Sequence, residues 1–65
     1  MKFGERLKEL REDKNLKQIE LAKIFRVSQA TITDWERGET QTDFETLIEI
    51  ADFFDVTTDY LLGRE

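Results

Sequence analysis

The chain has 65 residues and a formal net charge of −5, room for one domain that buries only about 60% of the surface its unfolded form exposes. Without cysteine or histidine, neither disulfides nor a Cys/His zinc site can staple the fold, so the core must come from packed helices and no metal or cofactor is expected. No apolar run approaches the roughly 18 residues needed to span a bilayer, and the charged start MKFGERLKEL does not read as a signal peptide; a soluble cytoplasmic protein without membrane contact is the expectation.

In chain order, Phe3, Leu7 and Leu10 recur at helical spacing among Lys, Glu and Arg, which predicts a first amphipathic helix. It should stop near Lys14 and Asn15, because Asn tolerates the left-handed backbone that ends helices. Ile19, Leu21, Ala22, Ile24 and Phe25 mark helix two. Ser28 is a good N-cap for a third helix from Gln29, which turns Ile32 and Trp35 inward. After Gly38 a polar loop leads to Thr42 and Glu45, which read as a capping box for helix four, with Phe44, Leu47, Ile48, Ala51 and Phe54 as its core stripe. Thr57 caps a last turn through Tyr60, Leu61 and Leu62, and Gly63 stops it. There is no proline, and all three glycines fall near apparent element ends. A single all-α domain over 1–65, with five helices, is expected.

The stretch from Gln18 to Gly38, QIELAKIFRVSQATITDWERG, is a helix, a tight turn and a second helix, the arrangement that delivers a reading helix to the DNA major groove. Ala22 is small where the helices cross; Leu21, Phe25, Val27, Ile32 and Trp35 fill the angle between them. Trp35 could be offered as a base-stacking platform, but its spacing with Ile32 makes it core. Net acidity argues against a nucleic-acid partner, yet the charge is uneven. Met1 to Gly38 holds nine basic against seven acidic residues, whereas Glu39 to Glu65 holds one against eight.

Together with FGERLKELRE at the start and FETLIEIADFFDVTTDYLLG at the end, this motif resembles the phage Cro and repressor helix-turn-helix family, also called XRE-like, over nearly the whole chain. The resemblance implies a compact five-helix, lambda-repressor-like fold that binds double-stranded DNA as a homodimer on a pseudo-palindromic operator, most simply as a repressor. In that family a Gln opening helix two braces a Gln opening helix three, positions filled here by Gln18 and Gln29. Gln29 is then the candidate for a bidentate contact to adenine, with Ala30 and Thr33 meeting thymine methyls or neighbouring base edges. Phosphate contacts are expected from Lys17, Gln18, Arg26, Arg37, Gln41 and Thr42. Arg11 and Glu36 occupy the places of a structural ion pair, and Phe53, Tyr60, Leu61 and Leu62 those of a dimer contact.

Four positions depart from the family pattern. Arg26 stands where a Gly is usual in the turn, which costs about 1 kcal/mol if the backbone is left-handed and is offset if the side chain reaches phosphate. Lys17 replaces the usual Ser or Thr cap. Asp34 and Glu39 are acidic beside the expected DNA; Asp34 either rejects particular bases or accepts from cytosine N4.

The carboxylates Glu45, Glu49, Asp52, Asp55 and Asp59 form a solvated face, and without a nucleophile paired to a base, a Gly-rich phosphate loop or a ligand cluster an enzyme is not expected. A second reading is a protein-interaction module on the same fold, an antitoxin or anti-regulator, which the net acidity favours. The resemblance also leaves room for a further C-terminal domain, since such domains close at the position of Leu61-Leu62-Gly63.

Overall fold

The computed structural model describes residues 2–65; Met1, the first residue of the expected domain, lies outside them. Five α-helices follow one another: α1 Phe3–Asp13, α2 Gln18–Phe25, α3 Gln29–Arg37, α4 Phe44–Phe54 and α5 Thr58–Leu62, with no strand among the described residues. The fold measures 27 × 23 × 19 Å. Helix α3 packs against both α1 and α2, while α5 bridges α1 and α4. Leu7, Leu21, Ile32, Ile50 and Leu61 are the largest of the fully buried side chains.

All five helices close in the same way. A residue just past each helix end, Asn15, Arg26, Gly38, Asp55 or Gly63, is left-handed. The next amide reaches back five residues to a helix carbonyl: Leu16 to Arg11, Val27 to Ala22, Glu39 to Asp34, Val56 to Ala51 and Arg64 to Asp59, at 2.8 to 3.1 Å. The closure satisfies carbonyls that would otherwise lack partners. At the starts, the Ser28 hydroxyl accepts the Thr31 amide at 3.1 Å and the Thr57 hydroxyl accepts that of Tyr60 at 2.9 Å, as expected. Lys17 supplies no acceptor to the opening of α2, but its own amide donates to Glu20 at 2.8 Å.

Three expectations are corrected. Ile19 and Ile24 are exposed; at about 100° per residue both lie well off the direction shared by Leu21, Ala22 and Phe25. On α4 the inward stripe is Leu47, Ile50, Ala51 and Phe54, while Phe44 and Ile48 are 84% and 52% exposed. The N-cap position of α4 belongs to Asp43 rather than Thr42, whose hydroxyl donates to the Asp43 carboxylate at 3.3 Å, so the Thr42 and Glu45 capping box does not form. Gly4 is near the start of α1, as expected, but within the helix as its second residue. There α1 crosses α3 so closely that a Cβ would overlap the Trp35 carbonyl oxygen and come within 2.7 Å of that of Glu36. The edge-to-face contact of Phe3 and Trp35, centroids 6.3 Å apart, seals the same crossing.

Candidate nucleic-acid interface

The expected Arg11 and Glu36 pair is present. Arg11 Nε and Nη2 donate to the two Glu36 oxygens at 2.6 and 3.1 Å, and Nη1 donates to the Leu16 carbonyl at 2.8 Å. The side chains are 11% and 4% exposed. The hydrogen bond to Glu36, more than charge attraction alone, raises the Arg11 pKa above its already high value. The pair joins α1 to the last turn of α3, and the Leu16 contact also ties it to the approach to α2.

Gln18 extends this pair outward. Its Nε2 donates to Glu36 at 3.0 Å, and its Oε1 accepts from the Thr33 hydroxyl at 3.0 Å and from Gln29 Nε2 at 3.4 Å. A relay therefore runs from the sequestered guanidinium through carboxylate and amide to two side chains on the outer face of α3. Among the described residues no buried side-chain polar atom is left without a partner. Gln29 and Ala30 are exposed, and Thr33 and Asp34 half-buried, along one side of α3.

An open groove beside them is lined by Lys8, Arg11, Gln18, Thr33, Glu36 and Arg37. Lys8 was not among the expected contacts; its signal was its place one turn before Arg11 on α1, visible only once the groove partner was known. Lys17, Arg37 and Gln41 are exposed and Thr42 is half-buried. Arg26 is left-handed at φ 60° and donates to both oxygens of Glu49, at 3.2 and 3.3 Å, an ion pair that the sequence did not suggest. Both partners are largely exposed, so the pair is worth little and can be exchanged for another anion. Arg37 stands 3.8 Å from Glu39 on the surface.

The expected dimer residues separate. Leu61 is fully buried and belongs to the core, which withdraws it as a contact. The Tyr60 ring lies 4.2 Å beneath the Arg6 guanidinium, which also donates to the Tyr60 carbonyl at 3.0 Å. Phe53 is 38% exposed, its ring edge-to-face with Phe25 and Phe54 at 5.7 and 4.9 Å. Half-buried Leu62 instead shares an apolar groove with Phe3, Leu47 and the exposed Phe44.

A two-helix reading unit with polar side chains braced along its second helix defines a helix-turn-helix domain. The family model described as Helix-turn-helix matches residues 7–61, and the chain belongs to this family of phage Cro and repressor type. It is 45% identical over its full length to the HTH-type transcriptional activator BcrR of Enterococcus faecalis, of which it covers 32%. It is 34% identical to the HTH-type transcriptional regulator ImmR of Bacillus subtilis strain 168, covering 51% of that protein. With repressor protein C2 of Salmonella phage P22 it shares 36% identity over 92% of its length and 28% of the relative's. The chain thus spans about half or less of these curated relatives. The crystal structure of the P22 c2 repressor in complex with a synthetic operator superimposes with a TM-score of 0.89 at 32% identity, covering all of this chain and 98% of that one.

Proposed function

We propose that this chain is the DNA-reading domain of a transcriptional regulator, a repressor that binds a pseudo-palindromic operator as a dimer. The observation that carries the reading is the relay from Arg11 through Glu36 and Gln18 to Gln29 and Thr33, which orders polar groups on an otherwise solvent-facing helix. Holding such groups costs side-chain entropy, which a surface with nothing to read would not need to spend. Gln29, Ala30, Thr33 and Asp34 face base edges. Lys17, Gln18, Arg26, Arg37, Gln41 and Thr42 hold the phosphates, joined by Lys8 across the groove. The similarity to the P22 repressor, which was crystallised with operator DNA, supports this assignment.

The dimensions support the dimer reading. The longest axis is 27 Å, short of the roughly 34 Å that separates successive major grooves on one face of the duplex. Two copies are needed to occupy both. The contact is drawn from Leu62, Phe53 and Tyr60, widened by the exposed Phe44 at the groove that Leu62 lines and by the exposed Ile48 one turn further along α4.

Selection of bound sequences from a random duplex pool tests the proposal. The expected result is a two-fold symmetric consensus with half-sites about one turn apart, lost in Gln29→Ala. Failure to enrich any sequence overturns it and favours the protein-interaction reading.

A further inference from the structure

We propose that Thr33 reads the DNA as a hydrogen-bond acceptor only, so that the base lying against it carries an exocyclic amino group, adenine or cytosine, rather than guanine or thymine. The inference rests on the DNA-reading function above and names one element of its specificity.

The position of each proton is fixed from the interior outward. The Glu36 carboxylate, bound on both oxygens by Arg11, can only accept. The third group against it, the Gln18 amide at 3.0 Å, must therefore present its amino end. This fixes the amide orientation by chemistry and turns Gln18 Oε1 toward α3. An amide oxygen can only accept, so the Thr33 hydroxyl, 3.0 Å away, must donate to it. A hydroxyl has one proton. With that proton committed, the half-exposed Thr33 offers the groove two lone pairs and a methyl group.

In the major groove the donors are adenine N6 and cytosine N4, whereas guanine shows N7 and O6 and thymine shows O4, all acceptors. A lone pair facing an amino group gains a hydrogen bond; facing guanine or thymine it meets another lone pair. The hydroxyl could rotate to serve guanine, but Gln18 Oε1 would then keep only the long 3.4 Å contact from Gln29. Losing a hydrogen bond of ordinary strength corresponds to about a five-fold loss of affinity.

The test measures affinities for operators in which each half-site position is replaced by all four bases, using the whole chain and the sequence won by selection. Wild type should favour adenine or cytosine on the contacted strand at one position by about five-fold. Thr33→Ser keeps the hydroxyl and should keep that preference; Thr33→Val keeps the shape and should abolish it while leaving preferences elsewhere unchanged. Preference for guanine or for thymine at that position, or a Thr33→Val profile identical to wild type, overturns the inference while leaving the DNA-reading function standing. If no operator is selected at all, both fail together.

Discussion

Glu36 accepts three hydrogen bonds, two from Arg11 and one from Gln18, while 4% exposed. Replacing it by alanine leaves the Arg11 guanidinium enclosed with only the Leu16 carbonyl as partner, and an uncompensated charge of this kind costs about 3 kcal/mol. Glu36→Ala should therefore lower the urea midpoint of unfolding substantially; a shift worth less than about 1 kcal/mol would mean that the pair is solvated and the relay loose. Asp43 gives a prediction in pH. The nearby Thr46 hydroxyl is the main cause that holds its carboxyl below the ordinary value of 3.8. A depressed pKa adds stability that is fully present above the unfolded value and is lost as pH falls through the folded one. Following the Asp43 carboxyl by NMR should give a midpoint below 3.8 that returns toward it in Thr46→Val; a midpoint at or above 3.8 contradicts this contact. At this scale the sequence disclosed Arg11, Glu36, Gln18 and Gln29 because the family pattern fixes their spacing. It could not disclose the Thr33 to Gln18 or Arg26 to Glu49 contacts, which depend on how side chains from separate helices meet.

Helix ends were more legible than helix faces. Ser28, Thr57 and Asn15 act on backbone groups a few residues away, so their roles are written locally. On α4, by contrast, the expected set Phe44, Leu47, Ile48, Ala51 and Phe54 and the observed set Leu47, Ile50, Ala51 and Phe54 are both helical stripes, and only packing on α2 and α5 decides between them. Gly4 was hidden for the same reason, because the close approach that requires it comes from α3. Gly4→Ala should destabilise the fold by about 1 to 3 kcal/mol, the usual cost of forcing atoms into a filled contact. Unchanged thermal stability would show that α1 slides freely over α3. Asp55 carries the opposite expectation. It is a left-handed non-glycine residue and places a negative charge at a helix C-terminus, so Asp55→Gly should stabilise by about 1 kcal/mol, read as a raised urea midpoint. A lowered midpoint would point to a contact made by the Asp55 carboxylate.

At the scale of the molecule, charge and size set the terms of binding. If the proposed dimer holds phosphates through Lys8, Lys17, Arg37 and the exchangeable Arg26, six to eight cationic contacts result, and log affinity should fall against log salt with a slope of roughly −5 to −7. A slope near zero would leave the acidic chain without a phosphate grip. Mutating Phe44 and Ile48 together to Asp should weaken operator binding while the helical signal stays intact, and unchanged binding would move the dimer contact elsewhere. The relay adds a different property. Its links lie within the protein, and Glu36 and Arg11 are shielded from ions, so salt that loosens the phosphate grip leaves the donor and acceptor pattern of α3 in place. Strength and discrimination then separate: as salt rises the residence time on every duplex shortens, but the ratio between the right operator and a single-base variant stays constant.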